Sequence, residues 1–147
     1  MDDLYQELLL DHYKSPRNSR AMADATNQAL GHNPLCGDQV NVFLKLDGDV
    51  IRDVSFQGSG CAISTASASI MTETLKGKTV AEAQSIFEKF HSMVTGESVD
   101  SASGPDLGKL EVFAGVSKYP VRVKCASLAW HTLDAAIKQD NTPVSTE

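Results

Sequence analysis

The sequence predicts a single domain of the α+β class over residues 1–147, in which helices and an antiparallel hairpin occupy separate segments. The hairpin lies in residues 39–57, where apolar and polar residues alternate on both sides of an Asp47–Gly48 turn. Helical periodicity precedes this hairpin at 2–14 and follows it from residue 62 onward. A length of 147 residues with 41% apolar content is typical of one domain with its own core.

The chain opens with a predicted helix over residues 2–14. Three of its leucines recur at helical spacing, and its acidic start suits the positive end of the helix dipole. Pro16 ends this helix, because a proline disfavours helical backbone at the residue before it. A polar, irregular stretch follows to about Pro34, and its pattern indicates a third strand at 26–32 only weakly.

The hairpin carries the clearest strand signal. Val40, Val42 and Leu44 alternate with polar residues in its first strand. The second strand begins at Val50 and alternates to Phe56, after which two glycines end it.

Two helices are predicted after the hairpin. Residues 62–76 are rich in alanine and serine, which favours close packing, and Gly77 closes this helix. Thr79 and Glu82 form a capping box, and the apolar stripe of the helix that it begins reaches Phe90.

The last third of the chain begins with a predicted surface insertion at 95–109, which is rich in glycine, serine and aspartate. A short helical turn is expected from residue 110, and residues 120–124 are expected to be extended. A last helix is predicted over about 126–138, followed by a flexible tail at 139–147.

Composition and charge exclude several classes of function. A formal net charge of -6 argues against a general nucleic-acid binder, because phosphate binding needs a basic face. No apolar run approaches the roughly 20 residues that cross a bilayer, and the charged N-terminus is unlike a signal peptide. We therefore expect a cytoplasmic protein that binds neither nucleic acid nor membrane. An odd cysteine count and a reducing compartment disfavour structural disulfides.

The three cysteines lie at the edges of predicted elements. Cys36 precedes the hairpin in a loop marked by proline and glycine, while Cys61 and Cys125 each begin a predicted helix. Helix N-termini favour the thiolate through their unpaired N–H groups. Asp38 lies two residues after Cys36, and such residues project to the same side of extended backbone. Three sulfurs and one carboxylate form a tetrahedral ligand set that zinc accepts.

A second interpretation stays open at this point, because the chain lacks paired C-x-x-C motifs. In that interpretation one cysteine is buried and structural, and the other two are incidental. Among the histidines, His32 lies near Cys36 and is kept as a candidate ligand or as a donor to a ligand. For the other histidines we favour packing or surface exposure.

Four segments of the chain resemble the IscU/NifU N-terminal-like family of iron–sulfur cluster assembly proteins: LYQELLLDHYKSPRN, NPLCGDQVNVFLKLDGD, VSFQGSGCAISTASASIM and VRVKCASLAWHTLDAAI. The resemblance spans roughly Leu4 to Ile137 and includes all three cysteines in order, with the C-G-D motif. It implies an α+β fold of the SufE/IscU-like type, with a small antiparallel three-stranded sheet and helices packed on one face.

Within that family the chain is similar to the SufU branch. A long insertion separates the second and third cysteines, and Lys124 stands where IscU scaffolds have a histidine. Because that histidine is a cluster or metal ligand in IscU, its replacement implies a ligand set made of Cys36, Asp38, Cys61 and Cys125.

The resemblance implies a zinc-dependent sulfurtransferase that takes persulfide sulfur from a SufS-type, pyridoxal-phosphate-dependent cysteine desulfurase. Cys36 is then the acceptor thiol, and Asp38 is both a zinc ligand and a tuning group. Arg122 and Lys124 are candidate auxiliary residues of the site. The resemblance also implies downstream iron–sulfur assembly proteins as further partners.

Two alternatives accompany this prediction. The first is a scaffold on which a transient [2Fe–2S] cluster or iron is bound, because thiolates suit such clusters. The second is a non-catalytic structural zinc module, which would unfold when its metal is removed.

Overall fold

The computed structural model describes residues 3–34, 37–96, 107–138 and 144–145. Within these described residues lie four α-helices, four strands and one 3-10 helix. In chain order they are α1 (Asp3–Lys14), β1 (Asn27–Asn33), β2 (Asp38–Asp47), β3 (Val50–Ser59), α2 (Ala62–Leu75), α3 (Val80–Val94), the 3-10 helix (Gly108–Lys118), α4 (Pro120–Ile137) and β4 (Val144–Ser145).

The sheet has the strand order β3-β2-β1-β4. The first three strands are antiparallel, and the pairing of β1 with β2 runs from Asn27 opposite Leu44 to Asn33 opposite Asp38. The three-stranded antiparallel sheet predicted from the sequence is therefore confirmed, including the weakly indicated strand. Two residues of the predicted flexible tail, Val144 and Ser145, add a short parallel strand beside β1. The rest of that tail lies outside the described residues.

One face of the sheet is buried against α2 and α4. Val40, Val42 and Leu44 alternate into this face from β2, as the sequence predicts. On β1 the buried face holds Gly31, where an added Cβ would collide with the hydroxyl of Thr132 on α4. A glycine at this position lets α4 approach the backbone of β1 closely.

Aromatic packing joins α3 and the 3-10 helix to α4. Trp130 of α4 is fully buried and stacks on Phe90 of α3, with ring centroids 4.9 Å apart. Phe90 in turn meets Phe113 of the 3-10 helix edge to face at 5.8 Å. The predicted capping box of α3 is present, with reciprocal hydrogen bonds between Thr79 and Glu82 of 3.1 Å each.

The start of the last helix differs from the prediction. Residues 120–124 are helical rather than extended, and α4 begins at Pro120. Proline is tolerated at the first helical position, because the N–H that it lacks has no partner within the helix there. Cys125 therefore lies inside α4, one turn beyond its first residues.

Most of the predicted insertion at 95–109 lies outside the described residues. Among the helices that the structure does describe, none has the length and apolar character needed to span a membrane.

Candidate metal centre

Three side chains with metal-binding chemistry meet at one end of the sheet. Asp38 is the first residue of β2, Cys61 is the N-cap of α2, and Cys125 lies in α4. One ligand atom from each lies within 4.8 Å of the other two. Since the three residues come from three separate elements, the fold itself assembles the group.

Asp38 is fully buried and is held by the backbone at the start of α2. Its Oδ1 accepts a hydrogen bond of 2.8 Å from the N–H of Cys61. Its other oxygen, Oδ2, lies 3.8 Å from Sγ of Cys61. Gly60 makes this approach possible, because a Cβ there would lie 2.5 Å from Oδ1 of Asp38.

Cys61 caps α2 with its sulfur. Its Sγ accepts a hydrogen bond of 3.4 Å from the N–H of Ser64, in the first turn of the helix. A hydrogen bond from the Cys125 thiol lowers the pKa of Cys61 to about 6, helped by backbone N–H groups and opposed by burial and by the charge of Asp38. An exposed thiol with this pKa is largely a thiolate at neutral pH.

Cys125 is buried, with 3% of its surface exposed. The amide Nδ2 of Asn33, at the end of β1, donates to its Sγ over 4.0 Å. Asn33 is itself fully buried and pairs across the sheet with Asp38. The sequence did not single out Asn33, although its position beside Pro34 at the end of a strand is visible there.

The donor atoms suit a zinc ion. Zinc–sulfur bonds of about 2.3 Å in a tetrahedron place two sulfurs roughly 3.8 Å apart, and the three ligand atoms already lie within 4.8 Å of one another. Two sulfurs and a carboxylate oxygen leave one tetrahedral position for a further ligand. Cys36, predicted for that position, lies outside the described residues, so its role stays a prediction.

The auxiliary candidates do not belong to the three-residue group. Arg122 is exposed, and its guanidinium carbon lies 4.5 Å from the ring centroid of Tyr119. Lys124 is half-buried immediately before Cys125. His32 is half-buried between two fully or largely buried neighbours of β1, so its side chain lies on the opposite face of the sheet from Asn33.

Comparison with known proteins places this site in context. Residues 4–126 match the family model described as the NifU-like N-terminal domain. A zinc-dependent sulfurtransferase SufU from Bacillus subtilis (strain 168) is 42% identical over 140 residues, which cover 95% of this chain and 93% of that protein. An iron–sulfur cluster assembly scaffold protein IscU from Streptococcus pyogenes serotype M1 is 40% identical, covering 95% of this chain and 86% of that protein.

A solved structure extends the similarity to the fold. It belongs to a putative iron–sulfur cluster assembly scaffold protein for the SUF system from Fervidobacterium islandicum AW-1. The two chains are 38% identical and superimpose with a TM-score of 0.83, covering 89% of this chain and 94% of the other. The sheet and helices described above are thus shared with a relative of this type.

Proposed function

Since this chain belongs to the NifU-like N-terminal domain family of iron–sulfur cluster assembly proteins, we propose that it is a zinc-dependent sulfur acceptor and shuttle. The observation that carries the proposal is the meeting of Asp38, Cys61 and Cys125 within 4.8 Å. The similar Bacillus subtilis protein, named a zinc-dependent sulfurtransferase, supports the same function.

Four residues hold the ion in this proposal: Cys36, Asp38, Cys61 and Cys125. Zinc, when bound, supplies a positive charge that keeps cysteine ligands deprotonated and restrains their nucleophilicity. Asp38 accepts a hydrogen bond from the N–H of Cys61, and this contact within the protein orients its carboxylate. The hydrogen bond from the Cys125 thiol lowers the pKa of Cys61 to about 6, which favours its thiolate form as a metal ligand.

Cys36 is the acceptor thiol. Its thiolate attacks the outer sulfur of a persulfide on the partner, and one S–S bond forms at Cys36 as the partner's S–S bond breaks. The electron pair of the broken bond leaves with the partner's cysteine thiolate. The transfer moves one sulfur atom with no net oxidation or reduction, so it needs no further reactant.

The partner that supplies this sulfur is a pyridoxal-phosphate-dependent cysteine desulfurase of the SufS type, because that class of enzyme forms a cysteine persulfide. The acceptor then passes sulfur to downstream iron–sulfur assembly proteins in the cytoplasm, where thiols stay reduced. Arg122 is exposed and lies one helical turn before Cys125, which suits contact with the desulfurase.

A scaffold for a [2Fe–2S] cluster is the second candidate function. It is favoured by the similar proteins from Streptococcus pyogenes and Fervidobacterium islandicum, whose names describe scaffolds. Lys124 counts against it, because a lysine stands where the IscU scaffolds have a ligand histidine. Anaerobic reconstitution separates the two functions: a stable cluster that transfers to an apo-ferredoxin would favour the scaffold.

A sulfur-transfer assay tests the proposal directly. The purified protein is expected to carry one tightly bound zinc ion and to accept radiolabelled sulfur from a cysteine desulfurase supplied with labelled cysteine. Removing zinc is expected to reduce productive transfer, and Cys36→Ala is expected to abolish it. Full sulfur acceptance by Cys36→Ala, or a wild-type protein without tightly bound zinc, would refute the proposal.

A further inference from the structure

Two buried asparagines mark the ends of the β1 face that packs on α4. Asn27 begins the strand with 7% of its surface exposed, and Asn33 ends it fully buried. Because α4 runs antiparallel to β1, Asn27 meets the C-terminal end of the helix and Asn33 meets its N-terminal half. Each asparagine therefore has a different partner on the same helix.

The two partners differ in chemistry. Nδ2 of Asn27 donates to the carbonyl oxygen of Ala136 over 2.8 Å, which is a bond between backbone and side chain with no link to the metal centre. Nδ2 of Asn33 donates to Sγ of Cys125 over 4.0 Å. Burying an amide without a hydrogen bond costs free energy. The Cys125 sulfur gives the buried Asn33 amide an acceptor, and the amide gives the buried sulfur a donor.

The Cys125 sulfur is buried, so a hydrogen-bond donor beside it takes the place of water. With 3% exposure, the sulfur has almost no access to water that would solvate a thiolate. An amide N–H from Asn33 supplies part of the solvation that water would give. The same contact fixes the direction of Sγ, because Asn33 is anchored on the sheet directly opposite Asp38, the carboxylate of the metal group.

We propose that Asn33 is a positioning residue of the metal centre, which holds the Cys125 sulfur as a metal ligand through an N–H···S hydrogen bond. This inference rests on the metal-binding part of the function proposed above. Residues that hydrogen-bond to metal ligands commonly change metal affinity by about 10- to 100-fold when they are replaced. In this proposal Asn33 neither binds the metal nor takes part in sulfur transfer, and its side chain orients the cysteine that binds the metal.

The test compares two variants of matched chemistry, Asn33→Leu and Asn27→Leu. Both replace a buried asparagine on the same face of β1 by an apolar side chain with the same number of heavy atoms, branched at the same carbon. Zinc affinity is measured by competition with a chromogenic chelator, and cobalt–thiolate bonding is measured by the thiolate-to-metal charge-transfer absorption of the cobalt-loaded protein. The unfolding midpoint of the metal-free protein reports stability separately.

Asn33→Leu is expected to weaken zinc binding about tenfold or more and to shift or weaken the cobalt–thiolate absorption. Asn27→Leu is expected to lower the unfolding midpoint but to leave zinc affinity and the cobalt spectrum unchanged. Asn33→Ala is measured as a second variant, so that the inference is still tested if Asn33→Leu fails to fold. The same loss of zinc affinity is expected for Asn33→Ala.

Wild-type zinc affinity and an unchanged cobalt spectrum in the folded Asn33 variants would overturn the inference. An equal loss of affinity in Asn27→Leu would overturn it as well, because the effect would then follow from stability alone. A wild-type protein that binds zinc but accepts no sulfur would refute the proposed function while leaving the role of Asn33 intact. A wild-type protein that binds no zinc would refute both.

Discussion

Gly60 lies directly against the carboxylate of Asp38, so closely that a Cβ at residue 60 would stand 2.5 Å from Oδ1. The same oxygen accepts the 2.8 Å hydrogen bond from the N–H of Cys61. The position of the buried carboxylate therefore depends on the absence of a side chain from the neighbouring residue.

Gly60→Ala is expected to displace Asp38 and to weaken zinc binding by about tenfold or more, as loss of support for a ligand does. The added methyl group meets the carboxylate, and the Cys61 N–H loses its partner. Isothermal titration of the metal-free protein with zinc measures the change. Gly115→Ala is the control, since a Cβ at residue 115 meets nothing within 4 Å. Equal zinc affinity in the two variants would contradict this role of Gly60.

Gly31→Ala is expected to destabilise the fold by about 1–3 kcal/mol, the usual cost of overpacking. The added Cβ collides with the hydroxyl of Thr132 and lies 3.2 Å from a methyl carbon of Leu128. Urea unfolding measures the loss. Combining Gly31→Ala with Thr132→Ala is expected to recover part of it, because the colliding oxygen is removed. A double variant with no recovery would show that the loss has another origin.

Unfolding stability is expected to fall at acid pH through His12. This histidine is fully buried, its Nδ1 lies 2.6 Å from Oγ of Ser69, and its Nε2 lies 3.5 Å from Glu73. Burial is the main cause that lowers its pKa. Because the pKa of His12 is lower in the folded state than in the unfolded chain, the neutral side chain favours folding. This contribution to the free energy of unfolding is fully present above the unfolded pKa of about 6.5 and is lost as pH falls below it.

The His12 effect is measured by urea unfolding of the metal-free protein across this pH range. The stability advantage of wild type over His12→Gln is expected to shrink as pH falls below about 6.5. Gln28→Ala, a change at an exposed residue of β1 that carries no titratable group, serves as the control and should keep the wild-type pH dependence. An advantage over His12→Gln that stays constant with pH would rule out titration of His12 as the cause.

Removal of zinc by a chelator is expected to lower the unfolding midpoint but to leave the domain folded. Ligand binding to the folded state adds stability by mass action, whereas the aromatic cluster of Phe90, Phe113 and Trp130 packs without any metal ligand. Near-ultraviolet circular dichroism of Trp130, the single tryptophan, measures its packing. Loss of that signal on chelation would favour a structural zinc module.

Local signals in the sequence were sufficient for part of the fold. The Asp47–Gly48 turn and the Thr79 capping box act within a few residues, so β2, β3 and the start of α3 could be predicted. β1 was harder, because its buried face carries Asn27, Gly31 and Asn33 rather than large apolar residues. The two asparagines are buried with hydrogen bonds to α4, and Gly31 is buried where α4 lies close to the strand backbone. A search for alternating apolar residues does not detect such positions.

The types of candidate metal-binding residues could be predicted from the sequence, but the residues that hold them in position could not. Residue type and position at element edges made Asp38, Cys61 and Cys125 candidate ligands, the family resemblance implied the ligand set, and the fold brings these three within 4.8 Å of one another. The contacts of Gly60 with Asp38 and of Asn33 with Cys125 join segments distant in sequence, so no local pattern announces them. Cys125 was expected at a helix start, but Pro120 begins α4 earlier, so the helix-end argument applies to Cys61 alone.

The hydrogen bond from the Cys61 N–H to Asp38 has a kinetic consequence. Both groups belong to the protein, so the fold itself orients the carboxylate beside the sulfur, and we expect ion capture to need no prior folding step. The rate of capture should then rise linearly with ion concentration, without a lag. The heat-capacity change should be small, because little apolar surface is newly buried. We therefore expect an ion to enter and leave this centre while the surrounding domain keeps its shape.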